Sequence, residues 1–413
     1  MEPGTPLPIR PVGEDDLDRF IRATDVAFSS RLEDKVLEST RGIAEPDRTL
    51  AAFDGDAIVA TAAAATFQLT VPGGIMPAAG VTAVGVHPTH RRRGILRGLM
   101  ERQLRDVRDR EEPAAILWAS EPGIYGRFGY GLAAFGLELR VDRARSRFAT
   151  TLGDGVGRTR LLDRSDAVAA LAPVYDAVRA DRPGMIDRPG GWWEHWMVDT
   201  ESHEHGEGFG PLFFALHEGD EGPDGYAVYR LKHEWGDGGP RGKVSVDELA
   251  ATTPEALAAM WRFCIGIDLA AEVDAWNRPV DDPLLHLLTD VRQLRPRLHD
   301  SLWVRPVDVA ALLSARRYPV EGRLRLRVAD DVCEWVDGTY ELDGGPGGAS
   351  CRAAGGEPDL ELTAADLGAI VLGGVRPSAL RAAGRVVEGS PGAVRRADSM
   401  FAWDSAPWAT FVF

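Results

Sequence analysis

The sequence predicts two successive α/β units followed by an α+β region, and three observations lead to this prediction. Residues 81–107 run from a strand of small and β-branched residues, ended by Pro88, into a helix with apolar residues at helical spacing. Residues 114–120 form a continuous apolar run, which is typical of a buried parallel strand. From residue 300 onwards the pattern changes, and 413 residues exceed what one hydrophobic core supports.

The first unit is predicted from the element order β-α-β-β-β-α-β-α-β, which ends near residue 145. An edge segment at residues 8–12 precedes a helix that continues to Phe28, and an Asp-Gly turn then joins two strands. The central strand, its helix and the strand at 114–120 follow. Residues 124–131, Ile-Tyr-Gly-Arg-Phe-Gly-Tyr-Gly, predict a tight connection, and residues 135–141 are expected to close the sheet.

The joint between the central strand and its helix carries an unusual charge pattern. A helix N-terminus exposes unpaired N–H groups and a partial positive charge, which favour acidic residues there. This one instead carries four arginines, Arg91, Arg92, Arg93 and Arg97. A bound anion would reconcile them, whereas the alternative is an exposed basic loop. The strand, the proline, the glycine loop and the helix together favour the anion site.

The second unit is predicted to repeat this plan more loosely. A helix is expected over residues 166–180, and another begins at Trp192, whose neighbouring tryptophans are expected in the core rather than in a ligand platform. Strands are expected at 213–217, 226–232 and 243–249. The helix that follows has its own cap, Thr253, with Pro254 in its first turn and no cation, so this unit is not expected to bind the same anion.

The last region is predicted to be an α+β region of short helices and strands. Its strand at 322–328 alternates Leu324, Leu326 and Val328 with arginines, which indicates a half-buried strand. The other predicted elements are strands at 301–305 and 359–363 and helices at 307–315 and 364–372.

Bulk properties restrict the class of partner. The formal net charge of −16 argues against nucleic acid or an anionic membrane as the main partner. Three widely spaced cysteines have no metal spacing and indicate reduced thiols, and no signal peptide is expected, so a cytoplasmic protein is predicted. The most apolar long window, residues 256–273, contains Arg262 and Asp268 and is too polar to span a bilayer.

A short histidine segment raises the question of a metal. His203 and His205, beside Glu201 and Glu204, have the donors of a zinc site. The surrounding residues are polar and glycine-rich, which favours a solvated loop, and no metal site is assigned.

The strand and its basic loop resemble the acetyl-CoA motif of the GNAT acetyltransferases. The resemblance rests on Val-x-Val-x-Pro at 84–88 and Arg-Arg-Arg-Gly at 91–94 before an apolar helix. It implies that loop amides surround the CoA pyrophosphate and that a splayed strand turns one backbone N–H toward the thioester oxygen. Gly85 fits such an opening, because a glycine inside a strand often marks a bulge or a close backbone approach. The implied acetyl-CoA residues are Val84, Gly85, Val86, Arg92, Arg93, Gly94, Ile95, Leu96, Arg97, Ser120 and Glu121.

Two further stretches, residues 118–131 and 404–413, make the whole chain resemble the Eis-type (enhanced intracellular survival) branch of that family. This resemblance implies tandem GNAT domains, at 1–148 (catalytic) and 149–295 (degenerate), followed by a sterol-carrier-protein-like domain at 296–413. It implies Tyr125 as the general acid and the terminal carboxylate of Phe413 as the general base. From the residues alone, Tyr125 could also be a packed turn residue, and the apolar tail could be a strand that completes the last domain.

The resemblance also implies the partners. The expected substrate is an amine of a cationic small molecule, aminoglycoside- or polyamine-like, bound near Asp25 and Phe28, and the expected assembly is a homo-hexamer. Family members that acetylate aminoglycosides carry an acid before the terminal Phe, where this chain has Val412. The alternative function is an apolar-ligand or lipid carrier in which the acetyltransferase part is vestigial.

Overall fold

The computed structural model describes residues 7–29, 33–198 and 208–413, which form three large β-sheets with helices packed against them. The first sheet has the strand order β1-β2-β3-β4-β5-β16-β6. Its strands are β1 (Ile9–Pro11), β2 (Thr49–Asp54), β3 (Ala57–Val71), β4 (Gly74–Val86), β5 (Ala114–Trp118), β6 (Gly131–Leu132) and β16 (Leu302–Pro306).

The second sheet has the order β15-β7-β14-β13-β10-β9-β8. Its strands are β7 (Phe135–Asp142), β8 (Arg158–Leu162), β9 (Phe213–Gly219), β10 (Gly222–Lys232), β13 (Gly242–Ala251), β14 (Ala270–Pro279) and β15 (Arg297–Asp300). A small separate hairpin joins β11 (Trp235–Gly236) and β12 (Gly239–Pro240).

The third sheet has the order β19-β18-β17-β20-β21, with β17 parallel to β20. Its strands are β17 (Gly322–Ala329), β18 (Gly338–Gly345), β19 (Gly348–Ala353), β20 (Leu360–Thr363) and β21 (Val387–Glu388). The predicted alternation is confirmed, because Leu324, Leu326 and Val328 are fully buried.

The helices cover the sheets and follow several of the predicted signals. They are α1 (Leu17–Phe28), α2 (Asp34–Ile43), α3 (Ile95–Asp109), α4 (Pro122–Tyr125), α5 (Arg164–Asp181), α6 (Trp192–Trp196), α7 (Pro254–Gly266), α8 (Leu284–Leu287), α9 (Val309–Ala315), α10 (Ala364–Ile370), α11 (Pro377–Ala382) and α12 (Ala393–Phe401). The Thr253 side chain caps α7 by accepting the Ala256 N–H at 3.1 Å, as predicted. Among the described residues, no helix is both long and apolar enough to cross a membrane.

The first two sheets exchange strands, which corrects two expectations. Strand β7, expected to close the first sheet, pairs with β14 and β15 in the second. Strand β16, expected to open the last region, lies between β5 and β6 of the first sheet. Hydrophobic periodicity identifies a strand but does not specify which strand it pairs with. These two pairings therefore could not be predicted from the local sequence pattern. The predicted domain boundaries stay predictions, and strand pairing crosses them.

A close approach by the third domain leaves no room beside β6. A Cβ on Gly131 would lie 1.8 Å from the Ala365 carbonyl oxygen of α10. The N–H groups of Ala133 and Ala134 then donate to the Leu302 carbonyl of β16, at 2.9 and 3.1 Å. The chain leaves the first sheet at this point and enters the second as β7.

The chain after α12 is irregular and forms no strand. Residues 402–413 have no sheet partner and run back over the second domain to the first. The interpretation of the tail as a strand that completes the last domain is therefore wrong.

Candidate active site

Strands β4 and β5 separate near the middle of the first sheet. They pair in parallel only from Ala78–Gly80 to Ala114–Ile116. Beyond that point β4 diverges, and a gap of about 270 Å³ opens between Val81–Val84 and Trp118–Ser120. The splayed strand that the sequence motif predicts is present, and its backbone borders a cavity rather than a neighbouring strand.

A bulge in β4 lies at a residue that the sequence did not single out. Ala83 has a φ of 53°, and the pairing with β3 shifts register beside it. The Thr61 hydroxyl donates to the Ala83 carbonyl at 2.8 Å and so fixes the bulge. The sequence allowed Gly85 to mark either a bulge or a close approach of the backbone to another segment. The structure shows the close approach, since a Cβ at Gly85 would lie 2.6 Å from the Cβ of Ala27 in α1.

The loop before α3 presents its backbone to a groove of about 770 Å³. Arg92 and Gly94 adopt left-handed conformations, with φ of 63° and 79°. No side chain caps the α3 N-terminus, and its first turn carries no acid. A Cβ on Gly94 would meet no atom within 4 Å, so the space above the first turn is open. These features fit an anionic diphosphate on exposed N–H groups.

Most of the predicted acetyl-CoA residues line the groove. Arg93 is the exception: it is exposed and does not line the groove, so its assigned role stays a prediction. The predicted residues that line the groove are Val84, Gly85, Val86, Arg92, Gly94, Ile95, Leu96, Arg97, Ser120 and Glu121, together with Tyr125.

Arg91 and His90 are polar groove residues that the motif did not assign. Arg91 lines the groove and donates to the carbonyls of Val86 and Ala27, each at 3.4 Å, so it joins the loop to β4 and α1. His90 also lines the groove, and its Nε2 lies 3.1 Å from Asp54 Oδ2. The only sequence signal for Arg91 was its place in the arginine run.

Tyr125 ends the short helix α4 and borders both the groove and the gap. Its ring is buried, with its edge against Tyr130 at a centroid distance of 5.8 Å. Burial, and secondarily the Glu121 carboxylate, raises the pKa of Tyr125 above its ordinary value. The phenol is therefore protonated at neutral pH and can donate a proton into the gap.

Phe413 enters the same gap from the other side. Its half-buried ring packs edge-on against Phe67 of β3 at 5.2 Å. Phe413 borders the gap that Tyr125 lines, and it also borders a neighbouring pocket of about 330 Å³. Phe413 thus lies where the gap and this pocket meet.

The neighbouring pocket contains both predicted substrate residues, Asp25 and Phe28. Its wall is largely apolar and includes Phe20 and Ile21 from α1. Glu45 also lines it but is already engaged, because its carboxylate accepts the Thr66 N–H and hydroxyl, both at 2.7 Å.

Helix α6 of the second domain supplies two further side chains to this pocket, Trp192 and His195. Trp192 was expected in the core, and it is both buried and part of the pocket wall. Burial lowers the pKa of His195, whose Nδ1 lies 2.8 Å from the Ser39 hydroxyl of α2. No local pattern connects α6 with a pocket in the first domain, so sequence reasoning could not place them.

Comparison with known proteins agrees with this architecture. Models of an acetyltransferase (GNAT) domain match residues 8–133 and 184–306, and a sterol carrier protein domain matches residues 309–410. The N-acetyltransferase Eis of Mycobacterium tuberculosis (strain H37Ra) is 34% identical over 410 residues, which cover 97% of this chain and 98% of that protein. The chain belongs to the Eis family of N-acetyltransferases. The predicted tandem GNAT domains and terminal sterol-carrier-type domain are confirmed.

Two further proteins extend the comparison. An uncharacterized N-acetyltransferase of Streptomyces avermitilis is 44% identical over 393 residues, or 95% of each chain. The crystal structure of Eis1 from Mycobacterium abscessus superposes with a TM-score of 0.85 at 33% identity and covers 98% of this chain and 100% of that one. The GNAT fold implies acetyl-CoA as the co-substrate of this Eis-family enzyme.

The possible metal segment cannot be compared with the structure, because residues 201–205 lie outside the described part of the chain. Within residues 7–29, 33–198 and 208–413, no group of three or more His, Cys, Asp or Glu side chains is placed to hold a metal ion.

Substitutions in the loop of this Eis-family enzyme are expected to show which of its arginines contributes more to acetyl-CoA binding. Arg92→Ala should weaken acetyl-CoA binding by about 1–3 kcal/mol, because a charge-assisted contact is lost. Arg93→Ala is the matched control, since Arg93 is a neighbouring arginine outside the groove, and a smaller loss is expected there. Isothermal titration calorimetry measures both, and equal affinity of Arg92→Ala and the unchanged enzyme would contradict the anion site.

Proposed function

We propose that this N-acetyltransferase moves the acetyl group of acetyl-CoA directly to an amine of a cationic small molecule. The observation that carries the proposal is the single gap bordered by the diverging β4 backbone, Tyr125 and Phe413. It lies between a groove suited to a diphosphate and a pocket that contains a carboxylate, Asp25. Donor and acceptor would therefore approach each other from opposite sides.

Each part of the gap has a role in this proposal. The Phe413 carboxylate takes a proton from the substrate ammonium and passes it to solvent. The free amine then forms the new N–C bond as the S–C bond breaks, and the carboxylate takes the second proton that the nitrogen must lose. A backbone N–H within Val84–Val86 stabilises the charge on the carbonyl oxygen in the transition state. Tyr125 gives its proton to the departing thiolate and regains one from solvent.

The pocket supports an amine with an apolar body. Asp25 places a carboxylate in its wall, and aromatic rings form much of the remaining wall. Val412 is 53% exposed and borders the gap, at the position where aminoglycoside-acetylating relatives are expected to carry an acid. We propose aminoglycoside- or polyamine-like amines as the substrate class, with Asp25 as the main electrostatic determinant.

The third domain offers less support for a lipid carrier. The inner face of its sheet is filled by its own side chains, with Leu324, Leu326 and Leu342 fully buried. A Cβ on Gly322 would lie 2.5 Å from the Met400 sulfur of α12, so helix and sheet are in close contact. An acetyltransferase is favoured over a lipid carrier by the intact groove, Tyr125 and the docked tail.

Thiol release from acetyl-CoA over a panel of mono-, di- and polyamines tests this proposal. Asp25→Asn is expected to raise KM for di- and polycationic amines about 10-fold, which corresponds to the loss of about 1.4 kcal/mol of ion pairing. A smaller change in KM is expected for monoamines that carry no second charge. Asp18→Asn is the matched control, because Asp18 lies on the same helix but pairs with Arg41 outside the pocket. An equal KM in Asp25→Asn for every amine would remove Asp25 from recognition.

The family resemblance implies the assembly, whereas the cysteines and the expected absence of a signal peptide imply the location. A homo-hexamer in the cytoplasm stays a prediction for this chain.

A further inference from the structure

The C-terminal tail is held by contacts that the acetyltransferase mechanism does not itself require. The Trp408 N–H donates to the Pro183 carbonyl at 2.8 Å, and its indole N–H donates to the Asn277 carbonyl at 2.7 Å. The Asn277 amide returns a bond to the Ala409 carbonyl at 2.5 Å. The second domain therefore fixes the tail up to residue 409, leaving four residues to the terminus.

The next contact is made by a buried cation, Arg188. Its side chain is 0% exposed and forms a two-pronged ion pair with Glu248, which is also 0% exposed. The Tyr226 hydroxyl donates to the same carboxylate. Burial is the largest single influence and disfavours the charged guanidinium. The Glu248 charge, Tyr175, Tyr226 and the hydrogen bond to Glu248 together outweigh it and raise the pKa of Arg188.

Aromatic rings surround the guanidinium, and one of them belongs to the tail. The Arg188 Cζ lies 4.2–4.4 Å from the ring centroids of Tyr175, Trp193, Trp196 and Phe411. Its Nη2 lies 3.5 Å from the Thr410 hydroxyl, which is also 3.2 Å from the Tyr175 hydroxyl. Arg188 thus contacts two consecutive tail residues immediately before Val412 and Phe413.

The segment that carries Arg188 is joined to the wall of the active site. The Thr70 N–H of β3 donates to the Met185 carbonyl at 2.9 Å, and the Gly184 N–H donates to the Thr70 carbonyl at 2.8 Å. The Asp187 carboxylate accepts the Gln68 N–H at 2.7 Å. Phe67, which directly precedes Gln68 in β3, packs against Phe413. One segment therefore holds both the strand and the tail that meet at the gap.

We propose that Arg188 is a positioning residue for acetyl transfer: it aligns Thr410 and Phe411 so that the Phe413 carboxylate reaches the gap beside Tyr125. This inference rests on the proposed function, because it assumes that this carboxylate is the base. It gives the second, degenerate domain a role in catalysis, namely to hold the terminus against the first domain.

A charged anchor suits this task better than an apolar one. Apolar side chains would fill the same space without fixing a direction, whereas a buried ion pair costs desolvation that only good geometry offsets. The planar guanidinium combines a fork toward Glu248 with a flat face toward the rings, and lysine cannot reproduce both. Small errors in the position of a catalytic group lower the rate strongly, so a directional anchor near the terminus matters.

Steady-state kinetics on the full chain, combined with hydrogen–deuterium exchange of residues 406–413, tests the proposal. Arg188→Lys is expected to lower kcat about 10- to 100-fold, to leave KM for acetyl-CoA unchanged and to speed exchange in the tail. Thr410→Val keeps the Arg188–Glu248 pair and removes only the tail hydroxyl, so it tests the same contact without a buried-charge defect. A smaller fall in kcat, again with faster tail exchange, is expected for it.

Arg316→Lys is the matched control. Arg316 is a buried arginine among aromatic rings in the third domain, where it donates to the carbonyls of Val371 and Phe401 and does not contact residues 408–413. It is expected to lower the melting temperature without changing kcat or tail exchange. Unchanged kcat or unchanged tail exchange in both Arg188→Lys and Thr410→Val would overturn the positioning role.

The same measurements distinguish this inference from the proposed mechanism. If deleting Phe413 abolishes turnover while Arg188→Lys retains it, the positioning role alone is overturned. If both variants turn over normally, the base lies elsewhere and the proposed mechanism itself is wrong.

Discussion

Tyr125→Phe is expected to lower kcat by about 100-fold or more while acetyl-CoA binds with unchanged affinity. The ring keeps its packing against Tyr130, but the hydroxyl that we propose protonates the leaving thiolate is gone. The loss should therefore appear in kcat and not in the dissociation constant. Stopped-flow kinetics with a thiol reagent, together with calorimetry of acetyl-CoA binding, measures the two quantities separately.

Tyr130→Phe provides a matched control in the same turn. The Tyr130 hydroxyl is buried without a hydrogen-bond partner among the described residues, and Tyr130 borders neither the groove nor the gap. Its removal should leave kcat unchanged. Wild-type kcat in Tyr125→Phe would remove Tyr125 from the mechanism.

The pH dependence of kcat should follow from the same residue. An acid must be protonated to act, and burial together with the Glu121 charge raises the pKa of Tyr125 above about 10. The acid function should therefore persist across neutral and mildly alkaline pH and fall only as pH rises through that higher value. A fall in kcat near pH 8 that depends on Tyr125 would contradict this assignment.

The motif-bearing parts of the site were predictable because their chemistry is local. A strand that ends at Pro88, a left-handed glycine and a run of arginines occupy one short stretch, and the resulting loop borders the groove. Tyr125 lies in a turn whose glycines and tyrosines are themselves distinctive. The apolar composition of the tail likewise favours a docked end over a frayed one.

What the sequence could not show depends on contacts between distant segments. The exchange of β7 and β16 depends on pairing with strands that are distant in the sequence, and local periodicity does not specify such partners. The bulge at Ala83 is held by Thr61 from another strand, and a single alanine carries no signal for it. His195 enters the substrate pocket only because α6 packs on α2, which was not predicted.

The other large effect is expected at the end of the chain. A C-terminal affinity tag converts the Phe413 carboxylate into an amide, which cannot accept a proton at neutral pH. Deleting Phe413 moves the new carboxylate by about 3.5 Å, the length of one residue, and general-base contact tolerates much less error than that. Both proteins should fold, bind acetyl-CoA and lose most of their turnover, whereas an N-terminally tagged enzyme should stay active.

Two controls separate this loss from damage to the fold. Deletion of Phe413 also removes ring contacts to Phe67 and Phe411, so thermal melting must accompany the kinetics. The anchors at Trp408 and Thr410 remain in each variant, and only a small fall in melting temperature is expected. Phe413→Leu keeps a carboxylate at the same chain position and should retain most of the activity that the deletion loses. A C-terminally tagged enzyme with full turnover would show that another group takes the proton from the amine.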